Sequence, residues 1–194
     1  MTTIQPPGAS LAAHFNEAEF NRALKIVVTG PFGSGKTRFI GTVSDIKTLQ
    51  TEVPCTAAKE SDKLMTTVAL DFGMVRLNPG ATAYLFGTPG QARFEFMWEI
   101  LATGMQGLIF LVDSTDADSF EEARVMLDYF CNCHPVPLVV GANKQDLMRA
   151  QPPETIRSAL ALPPEVPILP INAVQKESAM QAVRAVAAML HRQR

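Results

Sequence analysis

Apolar residues follow two alternating patterns along this chain. Short continuous apolar runs predict buried strands at Leu24 to Thr29, Leu108 to Val112, Leu138 to Gly141 and Val166 to Ile171. Between them lie segments with an apolar residue at every third or fourth position, which predicts amphipathic helices. Parallel strands need such crossover helices, so the pattern predicts an α/β fold with helices on both faces of the sheet.

Two further segments depart from this alternation. The runs Thr67 to Leu77 and Ala81 to Phe86 flank the turn residues Asn78-Pro79-Gly80, which predicts one antiparallel hairpin. The segment Lys47 to Met65 has little apolar periodicity over roughly twenty residues. Loops of that length are usually functional or disordered, so we expect a mobile functional segment here.

The composition favours one globular domain. The chain has 194 residues, of which 47% are apolar, and we expect a leader at residues 1–22 followed by a single domain at residues 23–194. A formal net charge of −2 without any basic run argues against a nucleic-acid partner and a polybasic membrane anchor. No apolar run approaches the roughly 18 residues that an integral membrane segment needs.

The cysteine content and the first residues bear on localisation. Three cysteines cannot all pair within one chain and are too few for a disulfide scaffold, which fits a reducing compartment. The first eight residues lack a charged segment followed by an apolar core, so no secretory signal is predicted. We therefore expect a cytoplasmic protein.

A glycine-rich segment follows the first predicted strand and precedes a predicted helix. It satisfies the pattern G-x-x-x-x-G-K-[ST], in which backbone N–H groups cradle phosphates, a lysine reaches the β- and γ-phosphates, and a hydroxyl binds Mg²⁺. Glycines allow the tight turn that directs those N–H groups inward. The predicted nucleotide-binding residues of this phosphate loop are Gly30, Phe32, Gly33, Ser34, Gly35, Lys36, Thr37 and Arg38.

A second polar motif, Asn143-Lys144-Gln145-Asp146, follows another predicted strand and so lies at the edge where α/β sheets bind ligands. An aspartate accepts two hydrogen bonds from the N1 and N2 donors of guanine, whereas adenine offers no such pair. Asp146 is therefore predicted to select guanine. Asn143 is predicted to tie the loop to nearby backbone, and the Lys144 stem to lie over the base.

With both motifs in place, the chain resembles the Ras-like small GTPases from Leu24 onward. The segments Thr66 to Gly73 and Phe86 to Gln91 look like the switch segments of a bacterial branch, namely the polarity and gliding-motility GTPases and the conservon GTPases. The resemblance implies a three-layer P-loop G domain. Its mostly parallel sheet would have six strands, including one antiparallel hairpin strand.

The resemblance also implies roles for single residues. Thr67, with Thr66 as the competing candidate, would close on Mg²⁺ and the γ-phosphate, and Gln91 would orient the attacking water. Gly90, which precedes Gln91, is predicted to bind the nucleotide. A backbone N–H within Asn172-Ala173-Val174 would recognise guanine O6. The predicted catalytic residues are thus Gln91, Lys36 and Thr67.

The main departure from the family pattern is Gly87, which stands where most Ras-like proteins have an aspartate that holds Mg²⁺ through water. Asp71 on the paired strand is the nearest carboxylate, and it either compensates or is an ordinary strand-end aspartate. The predicted metal ligands are Thr37, Thr67 and Asp71.

The predicted function is a small GTP-binding switch that uses Mg²⁺ and hydrolyses GTP to GDP slowly. A roadblock-type regulatory protein, or another signalling partner, is the partner that the resemblance implies. The alternative is a GTP/GDP-binding adaptor with negligible hydrolysis, suggested by Gly87 and by the restricted backbone of Pro89. A metabolic P-loop kinase would leave the segment Asn143 to Asp146 unexplained.

Overall fold

The structure is a computed structural model that describes residues 23–56, 65–78, 81–90 and 94–192. Its centre is a seven-stranded sheet with the strand order β2-β3-β4-β1-β5-β6-β7. The strands are β1 (Leu24–Thr29), β2 (Leu49–Thr56), β3 (Met65–Asn78), β4 (Ala81–Gly87), β5 (Gly107–Asp113), β6 (Leu138–Asn143) and β7 (Ile168–Pro170).

Five α-helices in the described ranges pack on both faces of this sheet. Helices α1 and α5 share one apolar core with the sheet, and α2, α3 and α4 contribute to the cores on the opposite face. The helices are α1 (Lys36–Val43), α2 (Phe96–Ala102), α3 (Phe120–Cys133), α4 (Pro153–Ala159) and α5 (Lys176–Arg192). A short 3₁₀ helix, Ala117–Ser119, leads into α3.

Side-chain alternation along the central strands explains the three layers. On β1, Ile26 and Val28 enter the core under α1 and α5, whereas Val27 enters the opposite core. On β5, Ile109 enters the core under α1 and α5, and Phe110 enters the opposite core. Successive side chains of a strand point to opposite faces, so strands that are apolar at nearly every position must be covered on both sides.

Only β3 runs against the other strands. Strand β4 pairs in parallel with β1, while β3 pairs antiparallel with β4, which confirms the predicted hairpin and the α/β fold class. The sheet has seven strands rather than the six expected. The additional strand is β2, which pairs antiparallel with β3 over its whole length and occupies part of the segment predicted to be mobile.

The loops that carry the motifs meet at the carboxyl edge of the parallel strands. The loops after β1, β4, β6 and β7 all lie there, as ligand-binding loops do in open α/β sheets. The predicted leader, residues 1–22, lies outside the described residues. Within the described ranges, every helix is too short or too polar to cross a membrane.

Candidate nucleotide-binding site

The phosphate loop is a tight turn between β1 and α1. Gly30 and Gly35 have left-handed φ angles of 142° and 98°, and a Cβ atom at Gly30 would lie 2.1 Å from the Leu111 carbonyl oxygen. Gly35 precedes α1 as its N-cap residue and makes no side-chain cap bond. Glycine is required at both positions, because other residues are strained at these angles. The helix therefore begins with its amide groups free to face an anion.

Lys36 is buried at the centre of this loop. Its Nζ atom donates hydrogen bonds to the carbonyl oxygens of Gly30 and Pro31, each at 2.7 Å, and contacts Ser34 Oγ at 3.4 Å. Burial lowers the pKa of Lys36 to about 8, although the negative charge of Asp71 opposes this shift. The loop therefore encloses a cation that phosphate oxygens would stabilise in its charged form.

The loop after β4 closes over the phosphate loop. The backbone N–H of Thr88 donates to the Val28 carbonyl oxygen at 3.0 Å, and the Thr88 hydroxyl lies 2.7 Å from that of Thr29. A Cβ atom at Gly90 would lie 2.5 Å from Lys36 Nζ and 2.8 Å from the backbone nitrogen of Phe32. Gly90 thus packs directly on the phosphate loop, next to the buried Lys36 amine.

Asn143 joins the phosphate loop to the loop after β7. Its side-chain nitrogen donates to the Ser34 carbonyl oxygen at 2.9 Å, and its side-chain oxygen accepts a bond from the Ala173 N–H at 2.9 Å. A Cβ atom at Gly35 would lie only 2.4 Å from the Asn143 side-chain nitrogen. This buried amide therefore holds three sequence-distant loops in one arrangement.

Lys144 forms an ion pair with Asp113, at the end of β5. Hydrogen bonds from Lys144 and Thr115 lower the pKa of Asp113, although partial burial opposes this shift. Lys144 itself has a left-handed φ of 65°, a conformation that few non-glycine residues adopt. Sequence reasoning missed Asp113, although an aspartate that directly follows an apolar strand was a usable signal.

Asp146 lies on the exposed side of the same loop. The turn beneath it is fixed by Gln145, whose side-chain nitrogen donates to Ser114 Oγ and to the Gln151 carbonyl oxygen, each at 2.8 Å. The predicted base-selecting carboxylate therefore stands free of the core on a rigid turn.

The backbone N–H groups of the loop Asn172-Ala173-Val174 are all hydrogen-bonded within the protein. The Asn172 N–H donates to Ser178 Oγ at 2.9 Å, and the Val174 N–H donates to Asn172 Oδ1 at 3.0 Å. The Ala173 N–H is bonded to Asn143. All three N–H groups thus donate to acceptors within the protein. To recognise guanine O6, one of these N–H groups would have to donate to that oxygen as well.

Two side chains with oxygen atoms that could bind a metal, Thr37 and Asp71, lie together at the start of α1. The Thr37 hydroxyl donates to Asp71 Oδ2 at 2.6 Å. Asp71 pairs across the sheet with Gly87, where a Cβ atom would lie 2.8 Å from Ile40 Cδ1 and 3.0 Å from Asp71 Cβ. Ile40 and Asp71 therefore occupy the space that a side chain at position 87 would need.

For the remaining predicted site residues, the structure gives less detail. Thr67 lies in β3 opposite Pro54, and Gln91 lies outside the described residues. Phe32, Gly33 and Arg38 are exposed on the outer side of the phosphate loop and the first turn of α1.

The fold and these loops define a P-loop nucleotide-binding domain with a guanine-type base motif. The sequence profile of the ADP-ribosylation factor family matches residues 11–190. The chain therefore belongs to the ADP-ribosylation factor family of small GTPases.

Individual relatives agree with this assignment. The chain is 34% identical to human ADP-ribosylation factor-like protein 4C over 91 residues, which cover 45% of this chain and 47% of that protein. It is 28% identical to human ADP-ribosylation factor-like protein 4D over 165 residues, or 84% of this chain and 75% of that protein. The matched segment thus spans about half of the first relative and three quarters of the second.

A solved structure shows the same fold. The Arl6 BBS3 small GTPase from Trypanosoma brucei, with the bound nucleotide analogue GppNp, superposes with a TM-score of 0.69. The match covers 89% of this chain and 99% of that chain at 19% sequence identity.

Proposed function

We propose that this protein is a molecular switch that binds GTP, hydrolyses it to GDP and changes conformation with the bound nucleotide. The observation that carries this proposal is the Asn143 amide, which bonds both to Ser34 of the phosphate loop and to Ala173. A base held by Asp146 and phosphates held by Lys36 would then lie in one rigid frame. Binding energy at the base would position the phosphates for reaction.

We infer that Mg²⁺ is held by Thr37 and Asp71, with Thr67 joining when GTP is bound. A hydroxyl and a carboxylate are hard oxygen donors, and Mg²⁺ sites typically combine one or two carboxylates with substrate phosphates and water. The contact between Thr37 and Asp71 supports this proposal, since it places both donors at the phosphate loop. Bound Mg²⁺ would neutralise charge that develops on the phosphates.

Replacement of Asp71 by asparagine tests this metal site. We expect Asp71→Asn to raise the Mg²⁺ concentration needed for tight GTP binding by roughly 10–100-fold, because one charged ligand is lost at nearly constant volume. The measurement is a Mg²⁺ titration of labelled GTP affinity.

Asp45→Asn is the matched control, because Asp45 pairs with Lys176 rather than with Thr37. If the Asp71→Asn variant needs the same Mg²⁺ concentration as the wild type, Asp71 is not a ligand of the metal.

Hydrolysis by the isolated protein is expected to be slow. No arginine lies in the segment Lys47 to Met65, and Arg93 is the one nearby candidate for an arginine finger supplied by the chain itself. A supplied arginine finger contributes about 10³–10⁵ in rate. With Gln91 orienting water, Gln91→Leu should lower the single-turnover rate by roughly 10²-fold.

Gln181→Leu, on the exposed face of α5, is the control and should hydrolyse GTP at the wild-type rate. A fast wild-type rate that collapses in Arg93→Ala would instead make Arg93 catalytic. No measurable hydrolysis in wild type, with normal GTP binding, would favour the alternative function of a nucleotide-dependent adaptor.

We infer that the chain belongs to the bacterial branch of polarity, gliding-motility and conservon GTPases and acts in signalling. Gly87 and the two switch segments support this placement. A roadblock-type regulatory protein is the partner proposed on the same grounds. The proposed location is the cytoplasm. The proposed domain organisation is a leader at residues 1–22 followed by a single domain at residues 23–194.

A further inference from the structure

Trp98 connects helix α2 to the loop after β4. Its indole Nε1 donates a hydrogen bond to the Pro89 carbonyl oxygen at 3.4 Å. On one side of Pro89, the Thr88 N–H is bonded to β1. On the other side, a Cβ atom at Gly90 would lie 2.5 Å from Lys36 Nζ. The position of α2 therefore bears directly on the loop that packs beside the buried amine of the phosphate loop.

Helix α3 holds α2 on this side of the domain. The ring of Tyr129 packs on Trp98, with ring centroids 5.4 Å apart, and the Tyr129 hydroxyl donates to Glu99 Oε2 at 3.0 Å. His134, at the end of α3, has its Nε2 atom 3.4 Å from the same oxygen. Burial and the bond to Glu99 raise the pKa of Tyr129 to about 12, so the hydroxyl remains a donor at neutral pH. Two adjacent residues of α2 are thus in contact with α3.

The bond between Tyr129 and Glu99 is not needed for core packing. The Glu99 side chain is 63% exposed, and polar contacts of an exposed carboxylate contribute little to stability because water competes for both partners. The core contact is supplied by Trp98, which is buried against Phe130. The bond can therefore open and close while the domain stays folded, as a contact that positions a helix must.

The lysine of a phosphate loop reaches the β- and γ-phosphates. GDP lacks the γ-phosphate, so the position of a loop beside Lys36 bears more on GTP than on GDP. We propose that Tyr129 is a positioning residue that, through α2, holds the loop after β4 at the phosphate loop and so favours bound GTP over bound GDP. This inference rests on the proposed function, because it concerns the same GTP site.

Removal of the Tyr129 hydroxyl alone tests this role. Tyr129→Phe keeps the ring that packs on Trp98 and loses only the bond to Glu99. We expect labelled GppNp, a GTP analogue that is not hydrolysed, to dissociate roughly 3–10-fold faster, which is the range that one lost hydrogen bond allows. Dissociation of labelled GDP should change by less than about twofold. Because the analogue is not hydrolysed, the result does not depend on the hydrolysis rate.

Variants of Glu99 separate the bond from a general loosening of α2. Glu99→Gln retains an oxygen that accepts the Tyr129 hydroxyl and should release GppNp near the wild-type rate, whereas Glu99→Ala should behave like Tyr129→Phe. The double variant should be no faster than either single variant, because both remove the same bond. Glu121→Ala is the matched control, since Glu121 is an exposed glutamate on α3 that pairs with Arg124.

Three results would overturn the proposal. The first is a wild-type rate of GppNp dissociation in Tyr129→Phe. The second is equal acceleration of GppNp and GDP, because a loosened site would release both nucleotides. The third is additive effects of Tyr129→Phe and Glu99→Ala, which would mean that the two residues act separately. Failure of the proposed function would be seen in the wild type instead, as a protein that binds neither labelled GppNp nor labelled GDP.

Discussion

Replacement of Asp146 by asparagine is expected to remove most of the preference of this protein for GTP over ATP. The carboxylate accepts hydrogen bonds from N1 and N2 of guanine, and each bond to a charged group contributes about 1.5–3 kcal/mol. The loss of both bonds corresponds to roughly 10²–10⁴-fold in GTP affinity. Competition of GTP, GDP and ATP against a labelled guanine nucleotide measures this change.

Asp128→Asn is the matched control, since Asp128 is an exposed aspartate on α3, outside the motif. Xanthine nucleotides provide a second comparison, because xanthine carries a carbonyl group where guanine carries its amino group. An asparagine amide can donate to that carbonyl, so Asp146→Asn should gain xanthine nucleotide affinity. Equal displacement by ATP and GTP from the wild-type protein would contradict the guanine assignment.

Truncation of Lys36 is expected to abolish tight nucleotide binding. The Lys36 amine is the buried cation of the phosphate loop, and its bonds to the carbonyl oxygens of Gly30 and Pro31 also shape that loop. Lys36→Ala therefore removes the charge that faces the phosphates and leaves two carbonyl groups without this donor. We expect GTP and GDP affinity to fall by at least roughly 10²-fold.

Calorimetric titration with GDP gives this affinity, and thermal unfolding establishes whether the variant is folded. Lys36→Met preserves most of the side-chain volume without the charge and should bind as weakly as Lys36→Ala. Lys176→Ala removes an exposed lysine that pairs with Asp45 and should bind like wild type. Wild-type affinity in Lys36→Met would exclude Lys36 from the phosphate site.

Strand β2 shows where sequence patterning reaches its limit. The segment Leu49–Thr56 mixes apolar and polar residues and contains Pro54, so it carries no clear strand signal. It forms a strand because the edge of β3 opposite to β4 presents backbone N–H and C=O groups, with which β2 pairs from Met65 to Phe72. That pairing partner is created by the tertiary structure and is absent from the local sequence.

The nucleotide-binding site also combines local features, which the sequence predicts, with long-range contacts, which it does not. The phosphate loop was predictable because its chemistry is local, with glycine, lysine and threonine required at fixed spacing over eight residues. The bonds of Asn143 to Ser34 and Ala173, and the pairing of Lys144 with Asp113, join residues about 30 or more positions apart. Their spacing follows from the strand order, which no single motif encodes.

By itself, the sequence determined the α/β fold class, the hairpin, the phosphate loop and the guanine-type motif, because each depends on local periodicity or on a short run of required residues. Only the tertiary structure decided that Asp71 contacts Thr37, that Ile40 and Asp71 fill the space beside Gly87, and that Phe32 remains exposed next to Gly90. Those features depend on which strands are neighbours and on how closely their side chains pack. Both properties are set by the assembled sheet and its helices.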